Sequence, residues 1–279
     1  MLLSLARKPR ILARVAGVLA LAVLGGCTIA PNYYPRKSDA KPHPGVAKAQ
    51  TYPIHGIDIS RWQGEIDWDA VKDAGTKFVF MKATEGGDHM DPSFRKNYAN
   101  ARAAGLPVGA YHFVYWCRSA QEQAQWIAQN WPRDRDQLPP VLDVEWNGHS
   151  LTCPRKVPRD QALEMIRVLM AQLEMQTGKK PIIYTDITFH EDVLSGAYED
   201  HPFWIRSVAA EPHQRYGERK WTFWQWTTTG RVPGIRGDVD RNVFNGTEKQ
   251  FYAWLNANLG KDDEVAETSS IVPRGFLPF

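Results

Sequence analysis

The stretch Pro139-Pro140-Val141-Leu142-Asp143-Val144-Glu145-Trp146 is a short apolar run that ends in two carboxylates separated by one valine. Successive side chains of a strand point to opposite faces, so Asp143 and Glu145 share one face and Val144 takes the other. Two acids held side by side do not both ionise cheaply, and one is expected to carry a raised pKa. That is the starting condition for acid catalysis at neutral pH, and cleavage of a glycosidic bond is the first chemistry it suggests. Taken alone, an Asp-x-Glu is as readily one capping acid and one solvated acid, so the surrounding chain decides.

Outward from this run the pattern repeats. Short apolar segments occupy Ile54–Ser60, Phe78–Thr84, Pro107–Val114, Val141–Glu145, Pro181–Asp186, Phe203–Val208, Trp221–Thr227 and Val239–Phe244. Helical patterns fill Trp68–Ala74, Pro92–Ala104, Ala120–Trp131 and Arg159–Thr177, with Gly75, Gly105 and Gly178 where C-caps belong. Strand and helix in alternation predict a parallel sheet covered on both faces. About eight strands in roughly 210 residues predict one α/β domain, a single irregular (β/α)8-like barrel whose later half is poor in helices.

The predicted strands end in functional side chains: Asp58; Lys82, Thr84 and Glu85; Tyr111, His112 and Phe113; Asp143 and Glu145; Tyr184 and Asp186; Trp204 and Arg206; Trp224, Gln225 and Trp226; and Asp240 opening the last. A barrel gathers such ends on one rim, where active sites of this architecture lie. Acids ringed by Trp and Tyr suit a sugar, because aromatic faces pack on the apolar faces of pyranose rings.

The ends of the chain carry different information. Arg7, Lys8 and Arg10 precede an apolar run from Ile11 to Val23 and then Leu24-Gly25-Gly26-Cys27. The run is shorter than the about 20 residues of a membrane span and reads as an export signal. Its ending resembles a bacterial lipobox, which makes residues 1–26 a lipoprotein signal peptide and Cys27 the lipidated residue. Residues 27–51, rich in Pro, Ala and Lys, read as a flexible tether able to reach about 80 Å when extended. Residues 52–260 form the barrel and residues 261–279 a loose tail. Removing the signal takes the 34 basic residues to 30 against 31 acidic ones, so no nucleic-acid partner is expected. Cys117 and Cys153 lie just beyond successive strands and could pair on one rim, as befits an exported protein.

The ordered motifs His55-Gly56-Ile57-Asp58-Ile59-Ser60 with Trp62, Lys82-Ala83-Thr84-Glu85-Gly86, Gly109-Ala110-Tyr111-His112-Phe113, Leu142-Asp143-Val144-Glu145, Ile183-Tyr184-Thr185, Trp224-Gln225-Trp226 and Gly237-Asp238-Val239-Asp240-Arg241-Asn242 resemble the family 25 glycoside hydrolases, the lysozymes or muramidases. The resemblance covers Ile54 to Gly246. It implies hydrolysis of the β-1,4 bond between N-acetylmuramic acid and N-acetylglucosamine in peptidoglycan. Glu145 would be the general acid, with Asp143, Asp58 and Asp240 completing an acidic cluster. Tyr111, Phe113, Lys82, Glu85, Tyr184, Trp204, Arg206, Gln225 and Trp226 would contact the sugars. For the second step a carboxylate nucleophile, an inverting water and the substrate's own acetamido oxygen all stay open. The last, assisted by Asp143, is favoured. The resemblance implies no metal and no organic cofactor, and glycan strands as the partner of a monomer. With the lipid signal it implies an outer-membrane anchor facing the periplasm.

Two departures stand out. The sixth strand reads Trp204-Ile205-Arg206-Ser207-Val208 where the family usually has Trp-x-Ala-x-Tyr, and His149 to Pro154 look inserted. The competing reading is a catalytically silent peptidoglycan-binding lipoprotein, and the complete set of four acids speaks against it. A zinc amidase or serine esterase lacks its ligand set and its Gly-x-Ser-x-Gly elbow here.

Overall fold

A computed structural model describes residues 42–259. The signal segment, Cys27, the tether up to residue 41 and the tail 261–279 lie outside the described residues. The chain runs β1 (His55–Ile59), α1 (Trp68–Asp73), β2 (Val79–Glu85), the two-residue β3 (His89–Met90), α2 (Phe94–Ala103), β4 (Val108–Phe113), α3 (Ala120–Asn130), β5 (Val141–Val144), α4 (Arg159–Thr177), β6 (Ile182–Thr185), α5 (Ile187–Phe189), β7 (Phe203–Arg206), α6 (His213–Tyr216), β8 (Phe223–Gly230), β9 (Val239–Phe244) and α7 (Glu248–Asn258). Eight strands close a barrel in the order β1-β2-β4-β5-β6-β7-β8-β9, and β3 hangs on β2 outside the ring.

The ring is parallel from β1 to β8, but β9 runs antiparallel to both neighbours. This corrects the expectation of a wholly parallel sheet. The connection from Gly230 to Val239 is too short to carry the crossover that a parallel strand needs, about a dozen residues or more. The reversal has a consequence for the rim. The beginning of β9 reaches the edge where the other strands end, and Asp240 stands in register with Asp58.

Strand alternation divides the apolar residues into two layers. Phe78, Phe80, Val141, Tyr184, Trp204, Phe223 and Phe244 fill the barrel, which α7 closes from below with Phe251 and Leu255. The rings are close-packed, with the centroids of Phe78 and Phe223 4.8 Å apart. Gly56 leaves the room for this, since a Cβ there would lie 2.5 Å from the Phe78 ring. Ile57, Val79, Leu142, Ile183 and Ile205 belong to the outer layer, which also holds Ile127 of α3 and Ile166 and Leu169 of α4. α5 and α6 span only three and four residues, so the later half is indeed poor in helix, apart from α7.

The tether expectation needs correction at its end. Residues Pro44–Thr51 form a 3₁₀ helix in which Val46 and Ala49 are fully buried. Three residues make one 3₁₀ turn, so the two apolar side chains share a face and dock it. Lys48 adds an ion pair to Glu211 at 3.2 Å.

Candidate active site

Asp58 on β1 points into the barrel and is buried. Its carboxylate receives Gln225 Nε2 at 2.8 and 3.0 Å and Asn242 Nδ2 at 3.1 Å. Both amides are oriented from behind. Tyr184 Oη donates to Gln225 Oε1 at 2.9 Å, and Trp204 Nε1 donates to Asn242 Oδ1 at 2.7 Å. With their oxygens so occupied, the amides can only turn their NH₂ groups to Asp58. Burial still raises the Asp58 pKa to about 6, against the lowering effect of those donors and of Arg206.

Asp143, interior on β5, and Glu145, half-buried just beyond it, lie across the ring. Burial is the main cause that lifts Glu145 to about 7. The charge of Asp186 adds to it, while Arg206 and Lys82 oppose it. Asp143 is raised well above the carboxylate range by burial and then by the charge of Glu145, with Lys82 opposing. Its Oδ1 is buried and accepts no hydrogen bond among the described residues. Asp240 is raised well above its usual value by burial and by Asp58. Five carboxylates thus share a cup with two cations, Arg206 and Lys82. Lys82 is also paired with Glu85, and its Nζ sits 4.6 Å from the Phe113 centroid. Protons in such a cluster belong to the group rather than to one residue.

Of the expected sugar-contacting residues, Tyr111, Phe113, Lys82 and Glu85 are half-buried on the inner face or rim. Tyr184, Trp204, Arg206 and Gln225 are buried in the floor, where Trp204 meets Tyr184 edge to face at 4.6 Å. Trp226 is a correction. It is only 2% exposed and belongs to the outer layer, near His55 at 6.3 Å and under Arg241 at 5.4 Å. In Trp224-Gln225-Trp226 the period of two allows Gln225 or the tryptophans to face inward, not both, and Gln225 is the one bonded to Asp58.

Three contributors had no role assigned from sequence, although Asp186 stood among the expected rim side chains. Asp186 caps α5 through Oδ1 to Phe189 N at 2.7 Å, is itself raised by burial, and lends its charge to Glu145. Asn242, inside a quoted motif, supports Asp58. Trp116 is 1% exposed and donates Nε1 to the Glu145 carbonyl at 2.7 Å. Its ring stacks on Phe189 at 5.0 Å and tilts on Trp146 at 5.3 Å. Next to it Cys117 is joined to Cys153 with a Cα–Cα distance of 5.7 Å, which fastens the inserted loop to the end of β4.

Comparison with known proteins decides the family. Residues 57–235 match the glycosyl hydrolases family 25. The chain belongs to glycosyl hydrolase family 25. It is 39% identical over 220 residues to lysozyme M1 of Streptomyces globisporus, covering 76% of this chain and 74% of that one. The crystal structure of a bacterial lysozyme from Streptomyces coelicolor superposes with a TM-score of 0.66 at 38% identity, over 75% of this chain and 99% of that one. A family 25 glycosyl hydrolase from Bacillus anthracis gives a TM-score of 0.67 at 37% identity, over 72% and 93%. This family 25 protein is therefore a glycoside hydrolase with a barrel fold. Asp58, Asp143 and Glu145 lie inside the matched span, and Asp240 follows it.

Proposed function

We propose that this family 25 enzyme is a peptidoglycan hydrolase that cleaves the β-1,4 bond between N-acetylmuramic acid and N-acetylglucosamine. The observation that carries the reading is the pairing of Glu145, protonated up to about pH 7, with a buried Asp143 that keeps one oxygen unpartnered. Burial raises Asp143 most, but while Glu145 holds the proton its repulsion of Asp143 is gone, and Lys82 and a donated amide N–H act in favour of the Asp143 anion. One neighbour can then give a proton while the other accepts an amide N–H.

In the first step Glu145 passes its proton to the glycosidic oxygen, and the C1–O bond breaks to release the C4 hydroxyl of the leaving sugar. The acetamido carbonyl oxygen attacks C1, and Asp143 accepts the acetamido N–H and stabilises the positive charge spread over the resulting ring. In the second step Glu145, now ionised, takes a proton from water. That water attacks C1, the C1–O bond to the acetamide breaks, and Glu145 is protonated again. Asp58 and Asp240 hold the field of the cup, and Tyr111 and Phe113 offer ring faces to the sugar. We further propose that the chain is exported, lipidated at Cys27 and held at the outer membrane, where its tether reaches the wall. Relatives of this chain are named as lysozymes or N,O-diacetylmuramidases, which supports the substrate class.

The test is mass spectrometry of fragments released from purified peptidoglycan. Reducing-end muramic acid without anhydro sugars is expected, and freed peptides on intact glycan chains would overturn the reading. Glu145→Gln is expected to lower kcat by at least about 10³-fold while sacculus binding persists. A silent binding protein would give no fragments with either chain.

A further inference from the structure

Trp62 follows β1 in the short turn Arg61–Gln63, and its side chain is 77% exposed. The turn is held from three sides. Arg61 N donates to Asp91 Oδ2 at 2.8 Å, and the other oxygen of this buried carboxylate takes Ser93 N at 2.9 Å. Ser60 N donates to Gln63 Oε1 at 2.9 Å, and Gln63 Nε2 donates to the Asp238 carbonyl at 3.3 Å. The Arg61 guanidinium lies 4.5 Å from the indole centroid and covers one face of it. The ring therefore stands in water on a fixed backbone, with one face backed by a cation and the rest open.

Its position gives the exposure a meaning. The turn sits four residues past Asp58 and, through Gln63 and Asp238, beside the start of β9 that carries Asp240. It belongs to the catalytic rim, on the side of the cup away from β5 and Glu145. The neighbours Arg61, Gly64 and Glu65 are exposed and polar or small, so the apolar patch is one ring wide. That is too small for a protein partner and the right size for one pyranose face. A ring already fixed in place loses little freedom on binding.

We infer that Trp62 is the stacking platform of a distal glycan subsite, which takes an N-acetylhexosamine ring beyond the two sugars at the cleaved bond. This rests on the muramidase reading above. A long strand would lie across the cup and onto the indole, while a short oligosaccharide at the acids would not reach it.

The full chain and its Trp62→Ala and Trp62→Tyr variants are compared by kcat and KM on long peptidoglycan strands and on a peptidoglycan tetrasaccharide. Trp62→Ala is expected to raise KM on long strands, so that the ratio of kcat/KM on strands to that on tetrasaccharide falls about tenfold. Trp62→Tyr, which keeps an aromatic face, is expected to restore most of that ratio. An unchanged ratio in Trp62→Ala, or no recovery with Tyr, overturns the subsite while leaving the muramidase reading intact. Failure of the parent chain to cleave either substrate overturns both.

Discussion

At Glu145 the proton is retained by burial and by the Asp186 carboxylate, and it is drawn away by Arg206 and Lys82. In the proposed mechanism the protonated form is the working form, so kcat/KM is expected to fall as pH rises through about 7. Asp186→Asn keeps a side chain able to cap α5 and removes the repelling charge. It should move the alkaline limb of the pH profile downward and cost severalfold in rate at pH 8. Arg206→Ala removes the opposing cation and should move the same limb upward. A limb that stays in place in both variants would show that these charges do not set the acid. Trp116 acts on the same residue through its backbone. Trp116→Phe keeps the ring contacts with Phe189 and Trp146 but loses the bond to the Glu145 carbonyl. A drop in kcat of about three- to tenfold at nearly constant KM is expected, the signature of a group that positions the acid. The four acids were legible because carboxylates at strand ends are conspicuous. Trp116 was not, since its role runs through a main-chain oxygen that any residue supplies.

At the scale of elements, all eight barrel strands and the four early helices follow from apolar runs and glycine stops, because period and punctuation are local properties. The direction of β9 depends on the length of the loop before it. The orientation of Trp226 depends on which side of β8 faces the barrel, and the bond from Gln225 to Asp58 fixes that only in three dimensions. The helix α7 is not among the expected helices, although Thr247-Glu248-Lys249-Gln250 carries its start signal, a Thr and a Gln that form a reciprocal cap. The 3₁₀ turn at 44–51 hid behind a composition typical of linkers. The Cys117–Cys153 bridge spans 36 residues and joins two rim loops. By loop entropy it contributes at most about 4 kcal/mol. Reduction, or the double change Cys117→Ser and Cys153→Ser, is expected to lower Tm by roughly 5–10 °C in differential scanning calorimetry. Because Trp116 adjoins Cys117, kcat should drop as well. Full activity and an unchanged Tm in reducing buffer would remove the bridge from both roles.

Across the whole molecule, the acidic cup and the buried histidines pull stability in opposite directions with pH. In the folded chain Asp58 and Glu145 stand at about 6 and about 7, against 3.8 and 4.5 for the free side chains. The folded state therefore binds more protons than the unfolded one between those values. The stability these acids contribute is fully present at low pH and is lost as pH rises through about 6 to 7. His112 and His190 are lowered by burial to about 4, from 6.5. His112 is fully buried between Thr84 Oγ1 at 2.8 Å and Gln123 Oε1 at 3.2 Å, a setting for the neutral ring. The histidine contribution is present above 6.5 and is lost as pH falls through about 4. From pH 4.5 to 6.5 the two trends oppose each other, and above 6.5 the histidines no longer change while Glu145 and the further-raised Asp143 and Asp240 still do. Tm is thus expected to decline from pH 6.5 to 8. Glu145→Gln removes one buried charge and should raise Tm at pH 8 by about 2–4 °C for each kcal/mol recovered. That gain would come with loss of turnover, since the burial that keeps the acid protonated is the same burial that destabilises its ionised form. A Tm that holds or climbs between pH 6.5 and 8 in the parent chain would show that the cup is not proton-rich, and the acid would need another source for its proton.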